Sequence, residues 1–488
     1  MCRASLGLYA ALIVFASVAT LRSGKCSIDE RPNLGNDSQA VPPGAATPQP
    51  ADGTQRIDPA TVVLRWAPVA NAISHRLFFG PADPPVFREE MTRVRYEPGP
   101  LASGTAYFWR IDELTASGII VGRTWRFTTA GMAGQVTVPA VSWAQCMDQP
   151  EGWYATPEAV RIAEDVLLYQ RRTGGWPKNI DMAVPLSPDG RQRLAEEKPQ
   201  TDSTLDNGAT TTQIRFLTRV SAASKQERFR PAITSGLRYL LEAQYPNGGW
   251  PQYYPLRDDY SRQITFNDDA MVHVLELLKE VAQARPPFGF IGQPMQAGAA
   301  KAVDRGVQLI LKAQIRVKGK LTAWCAQHDA VTLEPCKARA YEMPSLSGRE
   351  SVSIILFLMA IERPTTEVVR AIESAVEWFR SVAIKGSRLV RKSDPATPRG
   401  FDYELIADPS APSIWARFYD IATNRPMYVG RDGVIKERLA DIEYERRTGY
   451  TYLGPFASDL LNKDYPAWKK RLAAGAVSTP YITVRRRE

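Results

Sequence analysis

Three tryptophans, Trp176, Trp250 and Trp324, follow one another at intervals of 74 residues. The first two lie in Gly-Gly-Trp-Pro turns, within "LLYQRRTGGWPKN" and "LLEAQYPNGGWPQY", and "LILKAQIRVKGKLTAWCAQ" is a degenerate third copy. A repeat of this length holds two or more helices, and each unit buries its apolar face only against its neighbours. The spacing therefore predicts helical hairpins arranged around a central cleft.

Helical periodicity continues from about residue 131 onward, for example in "ATPEAVRIAEDVLLYQRR" and "NDDAMVHVLELLKEVAQA". We therefore predict that residues 131–488 form a mainly α domain, an α/α toroid of helical hairpin repeats. In such a ring each helix end delivers a loop to a shared face, where an extended polymer would bind.

Short alternating strands precede the helical region, over residues 57–130. Proline and glycine turns separate them, as an antiparallel β-sandwich requires. The segments "LRWAPVANAISHRLFFG", "YFWRIDE" and "TWRFTT" resemble a fibronectin type III module. Large aromatics dominate small sandwich cores, so Trp66 and Trp109 are predicted to be core residues rather than sugar-binding platforms.

The N-terminus carries an apolar run from Leu6 to Ala19 behind Arg3. It ends in small residues, which is typical of a secretory signal peptide, here assigned to residues 1–26. The run is shorter than the roughly 20 residues that a membrane span needs, and no later segment is long enough. We therefore expect a secreted or periplasmic protein without a membrane span.

Residues 27–56 are rich in proline, glycine, alanine and polar residues, and they lack the aliphatic clusters of a core. This composition predicts a disordered linker. Lipoprotein anchoring at Cys26 is a weaker alternative to export, because Lys25 occupies the position where a small residue is expected.

The formal net charge is +9, from 61 lysines and arginines against 52 acidic residues. Such a balance favours an acidic polymer as partner: polyuronate, nucleic acid or anionic lipid. The basic residues are spread along the chain without an RNA-binding signature or zinc-finger spacing. We therefore predict no nucleic-acid partner.

Histidine and cysteine are scarce. With three histidines in the chain, Ser-His-Asp triads and histidine-rich zinc sites are hard to assemble. Cys325 and Cys336 could form a local bridge, although the sequence leaves this open, and Cys146 would then be a free thiol.

Carboxylates open two of the helical segments. Asp206 and Asn207 stand in "TDSTLDNGATTTQIRFL", and Asp268 stands in "FNDDAMVHVLELL" roughly one repeat later. The simplest interpretation of either is an N-cap. If the two openings face each other, however, their oxygens make a hard site suited to Ca²⁺, with the remaining ligands supplied by substrate carboxylates.

Arg339 lies in the loop-like segment "CKARAYEMPSLSGRES", just ahead of an apolar helix. Taken alone, it would be interpreted as a surface arginine paired with Glu342 or Glu350.

Six ordered segments together are more specific: "TGGWPKN", "LDNGATTTQIRFL", "GGWPQYYP", "FNDDAMVHVL", "ARAYEMPSLSGRESV" and "WARFYDIATNRPMYVGRDG". They strongly resemble the helical pectate lyases of polysaccharide lyase family 10, over about residues 145 to 470. The resemblance implies that residues 131–488 are a catalytic domain cleaving α-1,4-polygalacturonate by calcium-assisted β-elimination, with 4,5-unsaturated oligogalacturonides as products. We expect a monomer.

The resemblance also implies residue roles. Arg339 is the expected base, and Asp206 and Asp268 are the expected ligands at the calcium and substrate-carboxylate site. The expected substrate-binding residues are Lys178, Asn207, Arg417, Arg425 and Arg431, with the assignment among the three arginines open. Two features depart from the family pattern: Arg349 stands where a small or polar residue is expected, and two cysteines flank the base loop.

The chemistry suits these groups. Removing the proton at C5 of a uronate leaves enolate-like charge on the carboxylate, which calcium and cations neutralise. An arginine base needs alkaline conditions because its pKa lies above about 12. Two alternatives remain open: an α/α-toroid glycoside hydrolase acting on uronates through paired carboxylates, or a non-catalytic pectin-binding protein.

Overall fold

The computed structural model describes residues 45–130 and 141–475. The chain divides into two compact units, residues 1–135 and residues 136–488. The predicted signal peptide, Cys26 and the first part of the predicted linker lie outside the described residues, and so does the predicted domain start at residue 131. Over the two described ranges, no helix is long and apolar enough to cross a membrane.

The first unit contains two sheets packed on a common core. One sheet has the order β1-β3-β6, and the other has the order β2-β9-β7-β4-β5, with β8 paired to β7. The strands are β1 Ala46–Gln49, β2 Thr54–Ile57, β3 Leu64–Ala67, β4 Ala72–Gly80, β5 Phe87–Met91, β6 Arg95–Tyr96, β7 Ala106–Thr115, β8 Gly118–Ile120 and β9 Trp125–Thr129.

Alternating side chains from both sheets fill this core. Leu64 and Trp66 of β3 are buried together with Trp109 of β7 and Trp125 of β9, and the last two rings lie 4.6 Å apart. The prediction that Trp66 and Trp109 are core residues is confirmed. The resemblance of this sandwich to a fibronectin type III module stays a prediction.

The predicted linker extends too far. Strands β1 and β2 both lie within residues 27–56, and Ala45 is buried. Asp52 accepts a hydrogen bond from the backbone N–H of Arg126 at 2.9 Å, and Gly53 donates to the Arg126 carbonyl at 2.8 Å. Edge strands of this kind are specified by their pairing partners, so their own composition does not reveal them.

The second unit is built on helices α1 Pro157–Tyr169, α2 Pro188–Glu197, α3 Thr211–Ser224, α4 Arg230–Glu242, α5 Ala270–Ala282, α6 Gln293–Ala313, α7 Glu350–Met359, α8 Thr366–Ser381, α9 Tyr444–Gly449 and α10 Tyr465–Ala473. Capping sets some starts: the hydroxyls of Thr156 and Thr365 accept the backbone N–H three residues ahead, at the starts of α1 and α8.

Strands are more frequent in this unit than predicted, so the structure is mixed rather than simply α. They are β10 Ile264–Thr265, β11 Arg316–Val317, β12 Lys320–Leu321, β13 Gln327–His328, β14 Leu346–Ser347, β15 Ser387–Ser393, β16 Phe401–Ala407, β17 Trp415–Ala416, β18 Phe418–Tyr419, β19 Tyr428–Val429, β20 Ile435–Lys436 and β21 Leu453–Gly454. Most are two residues long and belong to loops, where helical periodicity gives no signal.

The tryptophan repeat has a fourth member, Trp415. Each of these tryptophans is buried and donates its indole N–H to a backbone carbonyl near the end of the preceding helix. The four bonds are Trp176 to Val166 of α1 at 2.8 Å, Trp250 to Leu240 of α4 at 2.7 Å, Trp324 to Ile310 of α6 at 2.7 Å and Trp415 to Phe379 of α8 at 2.9 Å. We call α1, α4, α6 and α8 the leading helices.

Glutamine side chains join successive leading helices. Gln170, Gln244 and Gln314 stand at the ends of α1, α4 and α6, and each side-chain amide donates to a backbone carbonyl of the next leading helix, at 2.9 to 3.0 Å. The following helices, α3, α5 and α7, also contact one another in order. The repeats therefore lie side by side in two sets of helices.

Short β-bridges join each repeat to the next near the starts of the following helices. Thr204 pairs with Tyr253, β10 pairs with β13, and β14 pairs with β18. In each case the segment ahead of a following helix contacts the segment just after the next tryptophan. This regular pairing places the polar residues of the two segment types beside each other.

Candidate active site

The turns that open α3 and α5 have the same backbone conformation. Asn207 has φ 51° and ψ 32°, and Asp268 has φ 49° and ψ 33°, in the left-handed region where asparagine and aspartate are tolerated. Neither turn shows a side-chain cap bond. The interpretation of these residues as N-caps is therefore wrong, and their side chains are available for other roles.

Asp206 forms an ion pair with Lys178 through Oδ2. Asp206 is 3% exposed, and its other carboxylate oxygen, Oδ1, is buried without a hydrogen-bond partner. Burial lowers the pKa of Lys178, but the hydrogen bond and charge of Asp206 more than offset this, so the pKa is raised. Tyr253 borders the pair, with its ring centre 5.7 Å from Lys178 Nζ.

Asp268 is surrounded by donors. Its Oδ1 accepts hydrogen bonds from Arg349 at 3.0 Å and from Arg417 at 3.3 Å, and its Oδ2 accepts one from the Asn267 amide at 2.7 Å. Burial raises the pKa of Asp268, and the two guanidinium groups outweigh this effect, so the pKa lies below its usual value. Asp268 is therefore held as a carboxylate by arginines.

Arg417 is buried and anchored by Glu350. Its Nη2 lies 2.5 Å from Glu350 Oε1, and Glu350 is fully buried and also accepts from Ser347 and Arg349. The guanidinium carbon lies 4.6 Å from the centre of the Tyr450 ring. Although burial lowers the pKa of Arg417, the neighbouring carboxylate raises it overall, so this side chain is a fixed cation.

Arg339 is paired with Glu342, as the simplest interpretation of the sequence has it. Its Nε donates to Glu342 Oε2 at 2.7 Å, and its Nη2 donates to Oε1, so the pair is bidentate. The Arg339 side chain is 40% exposed, whereas that of Glu342 is 7% exposed. The hydrogen bonds that Arg339 donates to Glu342 raise the pKa of Arg339.

Two tyrosines connect these groups. The Tyr450 hydroxyl donates to Glu342 Oε1 at 3.1 Å while its ring faces Arg417, which joins the Arg339 pair to the Asp268 cluster. Tyr260 lies within electrostatic range of Arg339 and of Lys178: burial raises the pKa of Tyr260, and both cations oppose that rise. The structure thus brings Arg339, Asp206, Asp268, Lys178 and Arg417 into one region.

Three predicted substrate-binding residues are exposed and, within the part of the chain that the structure describes, make no ion pair or hydrogen bond with Asp206, Asp268 or Arg339. Asn207 is exposed and donates to Asn179 at 2.8 Å. Arg425 is exposed in the turn after β18. Arg431 is exposed and ion-paired with Glu445 at 2.9 Å, with its guanidinium 5.8 Å from the Tyr341 ring centre. Their roles stay predictions.

Glu350, Tyr450 and Tyr260 were not identified from the sequence as site residues. Glu350 directly follows the unexpected Arg349 in "SGRES", and that adjoining pair of charges ahead of an apolar helix was an available signal. Tyr450 and Tyr260 lie in segments without a recognisable local pattern.

The residues offer limited capacity for a metal. Among residues 45–130 and 141–475, no group of three or more histidine, cysteine, aspartate or glutamate side chains could hold an ion. The buried, unpartnered Oδ1 of Asp206 fits a cation whose other ligands come from a bound molecule. Cys325 and Cys336 are free thiols, and Cys325 Sγ lies 4.0 Å from the Cys336 carbonyl oxygen.

Comparison with known proteins identifies the family. A family model described as pectic acid lyase matches residues 170–461. The solved Family 10 polysaccharide lyase from Cellvibrio cellulosa is 33% identical, with a TM-score of 0.55, and the match covers 65% of this chain and 95% of that chain. A mutant of the Cellvibrio cellulosa enzyme in complex with trigalacturonic acid is 34% identical, with a TM-score of 0.57 and the same coverage. No curated protein sequence matches the chain. Because the family model covers more than half of the chain, the protein belongs to the pectic acid lyase family and is a pectate lyase.

Proposed function

We propose that the enzyme cleaves α-1,4-polygalacturonate by β-elimination and releases 4,5-unsaturated oligogalacturonides. The observation that carries this proposal is the placement of a half-exposed Arg339 beside fixed cations, Lys178 and Arg417, without a histidine in the cluster. The complex of the Cellvibrio cellulosa relative with trigalacturonic acid supports the substrate class.

Arg339 acts as the base in this proposal. Its neutral form accepts the C5 proton through a guanidine nitrogen, the electron pair of the C5–H bond forms the C4–C5 double bond, and the C4–O bond breaks. The glycosidic oxygen leaves with the released chain and takes up a proton from solvent. Glu342 orients the guanidinium through two hydrogen bonds, but it also favours the protonated form. The reaction is therefore expected to accelerate as the pH rises into the alkaline range.

Lys178 and Arg417 bind uronate carboxylates in this proposal. They occupy equivalent positions, two residues after Trp176 and Trp415 in the first and fourth repeats. Each is already paired with a buried carboxylate, which fixes the position of its cationic group. Cations placed in advance stabilise the charge that develops on the C5 carboxylate without reorganising during the reaction.

Calcium fits this arrangement at Asp206. Its free Oδ1 would hold the ion together with substrate carboxylates, because calcium takes about six to eight oxygen ligands and the protein offers few. When bound, calcium would supply further positive charge at the substrate carboxylate.

The paired sets of leading and following helices support an α/α toroid. We further propose that the enzyme is exported and monomeric and that its first unit is a fibronectin type III module.

Ultraviolet absorbance of the unsaturated product from polygalacturonate, measured with and without a calcium chelator, tests the reaction. We expect absorbance that grows with added calcium and disappears with the chelator. New reducing ends without absorbance would instead indicate hydrolysis, and binding without either signal would indicate a non-catalytic protein. Either outcome would refute the proposed elimination.

A further inference from the structure

Arg349 contacts Asp268, which the family resemblance implies is a calcium ligand. Its Nη1 lies 3.0 Å from Asp268 Oδ1 and 3.2 Å from Glu350 Oε1. The side chain is 35% exposed, so it lies at the edge of the cluster rather than within the core.

Arg349 and Arg417 match the charges of the two carboxylates that they bind, Asp268 and Glu350. A third carboxylate, Asp269, lies within electrostatic range of Arg349 and accepts a hydrogen bond from Ser353. Both oxygens of Asp268 have donors, because the Asn267 amide binds the second oxygen. A calcium ion at Asp268 would have to displace these hydrogen bonds and lie beside two guanidinium groups, so like-charge repulsion opposes it.

Asp206 differs from Asp268 in the number of cations that it contacts and in the hydrogen bonding of its oxygens. It faces a single cation, Lys178, and its Oδ1 is buried without a partner. One protein oxygen is far from a full calcium coordination shell. Calcium affinity in the absence of other ligands is therefore expected to be weak at Asp206 and suppressed at Asp268.

We propose that Arg349 is a resident cation that takes the place of the metal at Asp268, so that calcium binds this enzyme only together with substrate carboxylates. The inference rests on the proposed function, since it assumes that the substrate is a polyuronate. Arg349 is a positioning residue here: it holds Asp268 and Glu350, and through them Arg417, without touching the reacting atoms.

The test compares calcium binding by Arg349→Ser with binding by the unmodified enzyme and by Arg349→Lys, without substrate. Isothermal titration and the calcium-dependent change in thermal unfolding temperature are both measured. Removing one adjacent positive charge is expected to raise calcium affinity about tenfold or more. Calcium should then raise the unfolding temperature of Arg349→Ser, and it should leave the other two proteins unchanged.

Stoichiometric calcium binding by the unmodified enzyme without substrate would overturn the proposal, and so would an Arg349→Ser protein that gains no calcium affinity. If Arg349→Ser does not fold, Arg349→Gln provides the same charge change while keeping hydrogen-bond donors. Both readouts exclude substrate, so a failure of the proposed elimination would appear only in the product assay and would not be confused with a failure here.

Discussion

Tyr450 donates a hydrogen bond to Glu342 at 3.1 Å, and in this way it joins the two halves of the candidate site. Glu342 holds Arg339 on one side, and the Tyr450 ring faces Arg417 at 4.6 Å on the other. The orientation of the proposed base therefore depends on a residue 108 positions beyond Glu342 in the chain.

Replacing Tyr450 with phenylalanine removes this hydrogen bond and keeps the ring. Loss of one hydrogen bond to a charged group costs about 1.5 kcal/mol, so we expect kcat to fall about tenfold with little change in KM. Tyr450→Ala also removes the ring beside Arg417 and should weaken substrate binding as well. Steady-state kinetics on polygalacturonate separates the two effects, and an unchanged kcat in Tyr450→Phe would show that the bond does not position Arg339.

Replacing Glu342 with glutamine should move the pH–rate profile to lower pH. The carboxylate of Glu342 stabilises protonated Arg339 and so raises its pKa. Its removal lowers that pKa, so that more of the neutral base is present at a given pH. The profile of kcat against pH is the measurement, with Glu373→Gln, which breaks an exposed pair with Lys469, as the control. A profile displaced toward higher pH would contradict the role of Arg339 as base.

Replacing Arg339 with alanine should lower kcat by about 10² to 10⁴-fold, the usual contribution of a general base. Binding of oligogalacturonate, measured by calorimetry, should persist because Lys178 and Arg417 keep their own carboxylate partners. Arg228→Ala, which removes an exposed ion pair with Glu164, is a matched control and should retain full activity. Near-normal turnover by Arg339→Ala would show that Arg339 is not the base.

The repeat was predictable because its signal is local. Three tryptophans at one spacing reveal three turns, and Lys178 stands on the first of them, two residues after Trp176. Trp415 escaped prediction because the hairpin of β15 and β16 lies between α8 and this tryptophan and increases the interval to 91 residues. Insertions in loops cost little stability, so the fold tolerates an irregular spacing that a search for a fixed period does not.

The connections within the site were less predictable. Glu350 is fully buried, and no periodic pattern distinguishes a buried ion-paired carboxylate from an ordinary residue at the start of a helix. Tyr450 reaches Glu342 only through the tertiary fold. The same limit explains why the predicted linker wrongly included strands β1 and β2, since both strands are defined by pairing with neighbours distant in sequence.

The second Gly-Gly-Trp-Pro turn, which contains Gly248, allows a prediction about stability. Gly248 has φ +99°, and a Cβ atom there would lie 2.2 Å from the backbone oxygen of Arg305 in the next leading helix. Gly248→Ala therefore combines an unfavourable backbone conformation with a collision against backbone, and we expect a loss of about 2–3 kcal/mol in the free energy of unfolding.

Gly289 is the matched control, because nothing lies within 4 Å of its Cβ position and its φ is not in the left-handed region. Gly289→Ala should leave the free energy of unfolding within about 0.5 kcal/mol of the parent, as surface substitutions usually do. Urea denaturation of both variants measures the difference. Equal stabilities would mean that the leading helices do not pack as closely against the turn as the contact between Gly248 and Arg305 requires, and the side-by-side arrangement of the repeats would then need revision.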